Sequence, residues 1–236
     1  MDIHKPKPWH GVREFLKEYV IIVVGVLTAL AAEQIVVAVD RHEQVEQARA
    51  ALKVEVARDV ANAALGARND ACFGKVLTLW EAYATGGPKP PPVLGNTGGL
   101  SLTTWEVARG GAVANMPLDE RVAFANFYSE VANQLTLVQV QRESARRLSG
   151  YARLPKLTPQ EADDLLRELP GMKGMLRAKV RNYAALIEMG RQLGVKPDGK
   201  FGDGSVLGRD IFIGQVDKVC ALAATVKVEG AGESGR

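Results

Sequence analysis

The feature that most constrains this chain is the stretch from Tyr19 to Val39, YVIIVVGVLTALAAEQIVVAV, 21 residues in which Glu33 is the only formal charge. As an α-helix it would span about 31 Å, the thickness of a bilayer hydrocarbon core. From Val20 to Ala32 it is apolar all round, so an amphipathic soluble helix does not account for it. The residues predict a transmembrane helix over 19–39. A buried core helix of a soluble protein is one other reading, and a cleaved signal peptide is a second, because Ala29-Leu30-Ala31 has the small-x-small pattern behind a basic tail. Against cleavage, helix-compatible sequence runs on through Gln34 and past Asp40.

The flanking charges address orientation. Residues 1–18 carry Lys5, Lys7, Arg13 and Lys17, and residues 40–57 carry Arg41, Arg49 and Lys53, so counting alone nearly ties. Moving the cationic tail against the membrane potential costs about 2.3 kcal/mol per charge per 100 mV, whereas long domains cross largely regardless of charge. The expectation is a cytoplasmic tail (1–18), a membrane span (19–39), a domain facing the periplasm or exterior (40–229) and a disordered tail (230–236).

Within the span, Gly25, Ala29 and Glu33 recur at i, i+4 and i+8, flanked by Thr28 and Ala32. Small residues at this spacing allow close approach of another helix. Glu33 has two readings: it snorkels to the outer interface, or its face docks on a partner helix in a homo-oligomer or larger membrane complex. Trp9 and Phe15 suit an interfacial aromatic belt, with Lys17 on the cytoplasmic side.

The segment His4-Lys5-Pro6-Lys7-Pro8-Trp9-His10-Gly11, followed by Arg13-Glu14-Phe15-Leu16 and later by Glu33-Gln34, resembles the start of a family of small, uncharacterised single-pass inner-membrane proteins of Gram-negative bacteria. The resemblance covers about the first 45 residues and loosens beyond them. It departs from the family at Val12, where a tryptophan often stands. It implies an inner-membrane anchor with a periplasmic helical domain, and it supplies no catalytic residue.

Behind the span the pattern is all-α. Residues 40–84 read as a helix continuous with the apolar run, with a stripe of Val45, Ala48, Leu52, Val56, Val60, Ala63, Ala67 and Ala71. Gly66 and Gly74 are weak points in it, and Gly86-Gly87-Pro88 should end it. A proline- and glycine-rich loop (85–103) follows, then a short helix begun by Thr104-Trp105-Glu106-Val107, capped at Thr103 or Thr104 and stopped at Gly110-Gly111, with Trp105 as a core plug. A long helix is expected over 118–151, with Val122, Phe124, Ala125, Phe127, Tyr128, Val131, Leu135, Val138 and Leu148 as apolar positions. Thr158-Pro159-Gln160-Glu161 opens another helix, expected to stop near Leu169-Pro170. A separate helix is expected over 171–193, stopped by Gly194, and a last one over about 209–226. No strand pattern and no internal repeat is legible.

The two cysteines, Cys72 and Cys220, are 148 residues apart and would meet an oxidising compartment if the domain is periplasmic. A disulfide between the first and last helices is favoured, and two buried free thiols are the alternative.

Catalytic and cofactor patterns do not emerge. Of the three histidines, His4 and His10 lie in the tail and His42 beside the span. The run Asp198 to Gly204 fails the calcium-loop pattern, because Lys200 and Gly202 stand where oxygen ligands belong. Arg142, Arg146 and Arg147 could form an anionic-ligand patch but read first as a wet helix face. Four of the 30 Lys/Arg and five of the 27 Asp/Glu fall in residues 1–40, and the remaining charges are interspersed. That is a solvated surface rather than a nucleic-acid footprint. The expected function is a membrane-anchored, non-enzymatic interaction or scaffold protein, without metal or cofactor, contacting lipid and a protein partner. The alternative is a periplasmic sensor or ligand-binding domain.

Overall fold

The computed structural model describes residues 11–90, 99–197 and 206–225. The tail through His10, the loop over 91–98, the Asp198–Gly204 run and the segment from 226 onward lie outside them. Every regular element among the described residues is helical: α1 (Val12–Ala84), α2 (Thr103–Ala108), a 3₁₀ turn (Ala112–Asn115), α3 (Leu118–Arg153), α4 (Pro159–Gln192) and α5 (Val206–Thr225). The chain divides into two compact units, Met1–Gln47 and Ala48–Arg236.

α1 is 73 residues long because no proline interrupts the chain between Pro8 and Pro88. It starts behind Gly11, whose carbonyl accepts the Glu14 N–H at 2.7 Å. It stops in a glycine cap. Gly86 takes φ +97, its N–H donates to the Tyr83 carbonyl, and the Gly87 N–H donates to that of Ala82. α4 ends the same way at Gly194 (φ +70), with Gly194 and Val195 donating back to Arg191 and Gly190. Both are paired bonds that satisfy the orphan carbonyls of a last turn, and glycine takes the left-handed position without a steric penalty. The start of α4 carries the expected reciprocal cap. Thr158 accepts the Glu161 N–H, and the Glu161 carboxylate accepts the Thr158 N–H at 2.7 Å.

Two expected helices are one. α4 runs through Pro170 instead of ending there. Pro170 costs one backbone bond, about 3 kcal/mol in a helix interior. It stands on the exposed face, however, while Leu165, Leu169, Met172 and Leu176 on the opposite side are buried. That apolar stripe holds the helix together across the break.

In the second unit, Phe73, Val76, Leu77, Trp80 and Tyr83 of α1 pack with Leu148 of α3, Leu165, Leu169, Met172 and Leu176 of α4, and Val219 and Ala223 of α5. α1 and α4 run antiparallel, since Val60 meets Gly190, Gly66 meets Tyr183 and Asp70 meets Lys179. Gly66 and Gly190 are the close-approach points. A methyl on Gly66 would lie 2.6 Å from Tyr183 Cζ, and one on Gly190 would overlap Val60 Cγ2.

The buried stripe of α1 departs from the expected one after Ala63. It passes through Gly66, Asn69, Asp70 and Phe73, and leaves Ala71 exposed. On α3 the buried positions Phe127, Val131, Gln134, Val138, Gln141 and Leu148 follow a 3–4 spacing, with two glutamines in core places. Val122 is exposed. Trp105 is only half-buried, because α2 is a six-residue helix with no buried residue. Instead of plugging the core it stacks on Tyr128, ring centroids 5.1 Å apart.

Candidate functional site

In the first unit, no described residue covers the apolar segment. Among the described residues, one helix is long and apolar enough to cross a membrane, and none of its most apolar 18-residue stretch is buried. Val20, Ile21, Ile22, Val24, Val26, Leu27 and Leu30 are each at least half exposed. A contiguous apolar surface of this extent requires lipid or a partner protein around it. Gly25, Thr28, Ala29, Ala32 and Glu33 are all exposed, and the space above Gly25 is open to 4 Å. Thr28 donates its hydroxyl to the Val24 carbonyl at 2.8 Å, which satisfies it inside the helix. Phe15 and Tyr19, one turn apart, stack with ring centroids 6.4 Å apart, and Lys17 is exposed. Trp9 lies outside the described residues.

In the second unit, Cys72 of α1 and Cys220 of α5 form a disulfide, Cα atoms 4.9 Å apart. Arg68 and Asp217 pair beside it at 2.7 Å. The helix that begins the unit is thus tied to the one that ends it.

A ladder of buried polar groups climbs one face of α1: Glu55, Asp59 and Asn62 at a spacing of four and three, then Asn69 and Asp70 two turns on. Its lower rungs hold the segment leading into α2. Glu55 accepts the Ser101 hydroxyl (2.7 Å), the Tyr128 hydroxyl (2.9 Å) and the N–H groups of Thr104 and Trp105. Asp59 accepts the Ser101 N–H at 3.0 Å, and Asn62 donates to the Gly99 carbonyl. Burial alone would raise the Glu55 carboxyl, but its four donors outweigh that and hold it below the ordinary carboxylate range. Asp59 has only one such donor among the described residues. Burial, with the neighbouring Glu55 charge adding, pushes it up to about 8.

The upper rungs meet α3 and α4. Asp70 pairs with Lys179 at 2.7 Å and accepts the Gln141 amide at 3.1 Å; Lys179 also donates to the Gln141 oxygen. The Lys179 ammonium lies 5.6 Å from the centre of the Tyr183 ring. Burial holds Lys179 below the ordinary lysine range, while Asp70 pulls the other way. A network of this kind fixes the register of three helices.

The surface between α1 and α4 is different. A groove of about 810 Å³ opens above Asp70, floored by Ala71, Gly74, Leu176 and Val180 and rimmed by Lys75, Lys173, Arg177 and Arg181. Lys173 pairs with Glu81 at 2.7 Å. The arginines of the patch read from sequence are mostly spoken for. Arg146 and Arg147 pair with Glu143, and Arg147 also reaches Glu168.

Compared with protein-family models, curated proteins and solved structures, the chain matches none.

The ladder is what sequence reasoning missed. Its signal was present in the polar side chains at stripe positions: Glu55, Asp59 and Asp70 on α1, and Gln134 and Gln141, seven apart, on α3.

Proposed function

We propose that the chain is a membrane-anchored, non-enzymatic interaction protein of the bacterial cell envelope. In this reading residues 19–39 cross the inner membrane, the cationic tail stays in the cytoplasm, and the helical domain stands in the periplasm. The observation that carries it is the bare apolar surface from Val20 to Leu30, which only lipid or another apolar helix can cover. The Cys72–Cys220 bond supports placement of the domain in an oxidising compartment. The resemblance of the first 45 or so residues to inner-membrane proteins of Gram-negative bacteria points the same way. The small-residue face of Gly25, Ala29 and Ala32 supports a helix partner in the membrane, a second copy or a subunit of a larger complex. That the buried carboxylates serve as structural acceptors supports a binding role over a catalytic one.

The test is purification in mild detergent after crosslinking in the native membrane, with protease added to spheroplasts. The expected result is a defined oligomer or co-purifying protein, and a C-terminal domain cut only from outside. A strict monomer, or a domain protected in spheroplasts, contradicts the reading.

A further inference from the structure

The groove between α1 and α4 has the makings of a ligand site that the anchor reading does not use. Its two walls, residues 70–78 and 173–181, each run about 12 Å. That is too short for a stable protein interface, which buries about 1,200 Å² or more, whereas the volume lies within the roughly 300–1,000 Å³ of small-ligand pockets. The floor is apolar. Gly74 and Gly174 face it, and the space above each is open, the first atom beyond Gly174 being in the Arg177 guanidinium at 3.9 Å.

The rim carries the decisive charge. Asp70, the one acid in the lining, is committed to Lys179, and Lys173 is committed to Glu81. Lys75, Arg177 and Arg181 have no ion pair among the described residues, so the rim keeps three cations available to an anion. Two guanidiniums and an ammonium over an apolar floor complement a dianionic head on an apolar chain.

We propose that this groove binds a single-chain amphiphile bearing a phosphate monoester, with the alkyl chain on Ala71, Leu176 and Val180 and the phosphate between Lys75, Arg177 and Arg181. The proposal is independent of where the anchor sits and of what it contacts.

The test uses the full chain in neutral phosphatidylcholine nanodiscs, titrated calorimetrically with octyl phosphate, octyl glucoside and inorganic phosphate. Octyl phosphate saturates one site. Octyl glucoside and inorganic phosphate each bind at least tenfold more weakly. Arg177→Gln/Arg181→Gln weakens octyl phosphate at least tenfold, and Gly74→Leu, which fills the groove from an open position, abolishes it. Nanodiscs containing phosphatidylglycerol leave the affinity unchanged. Non-saturable uptake, equal binding of the neutral or chainless probe, or an unaffected variant overturns the proposal. Suppression by phosphatidylglycerol also overturns it, by assigning the groove to bilayer headgroups. Circular dichroism of each variant confirms that a loss of binding is not a loss of fold.

Discussion

Asp70 and Lys179 face each other at 2.7 Å with both side chains sealed from solvent, 1% and 0% exposed. The pair locks α1 to α4 where Gln141 of α3 bonds to both members. Removing one partner leaves the other charge buried alone, which costs about 3–5 kcal/mol, whereas replacing both with apolar residues costs far less. Lys179→Met alone should therefore lower unfolding free energy by about that amount, and Asp70→Leu/Lys179→Met should recover most of it. Urea titration of the three chains checks this.

Asp59 gives the fold a pH dependence. Its carboxyl is raised from 3.8 in the unfolded chain to about 8 in the folded one. The folded state therefore holds the proton more tightly, so this contribution is complete below pH 4 and is lost as pH climbs through 8. The slope is about 1.4 kcal/mol per unit between those limits, so stability should fall by on the order of 3 kcal/mol from pH 5 to pH 7. Glu55 is shifted downward, so its window lies below 4.5, outside this range. Asp59→Asn should flatten the profile relative to the parent chain, measured by chemical unfolding at a series of pH values.

The Cys72–Cys220 bond closes a loop of 148 residues, worth about 5 kcal/mol by loop-closure entropy. Alkylation under denaturing, non-reducing conditions should label neither cysteine, and both after reduction. Cys72→Ser/Cys220→Ser should unfold at lower temperature, with a stability loss of about 2–5 kcal/mol. Two alkylated cysteines in the unreduced chain would contradict the bond.

Gly66 and Gly190 should be intolerant of alanine even though alanine favours helix by about 1 kcal/mol. A methyl at Gly190 strikes the stiff β-branched Val60, and one at Gly66 strikes the buried Tyr183 ring. Each Ala variant should be destabilised by about 1–3 kcal/mol, while Gly74→Ala, which meets open space, should be neutral or stabilising. Thermal unfolding of the three variants separates these outcomes.

What could be read from sequence alone follows the range of the forces involved. The cap at Thr158 and the glycine stops at Gly86 and Gly194 rest on chemistry within six residues, and they stand where the residues place them. The apolar run before Asp40 is equally local. Pro170 was misleading because local cost argues for a break, while the burial that overrides it comes from residues on other helices. The ladder on α1 was invisible for the same reason. An aspartate at position 70 reads as solvated until Gln141, 71 residues on, and Lys179 are brought beside it.

The central claim is that the bare segment of α1 lies in lipid with its small-residue face against another helix. Photocrosslinking in native membranes, from a benzophenone side chain placed at Ala29 or at Leu27, about 200° around the helix from Gly25, tests it most directly. The account predicts a discrete protein adduct from position 29 and lipid adducts from position 27. Lipid adducts from both positions would contradict the partner face, and recovery of the chain in the soluble fraction would contradict the anchor itself.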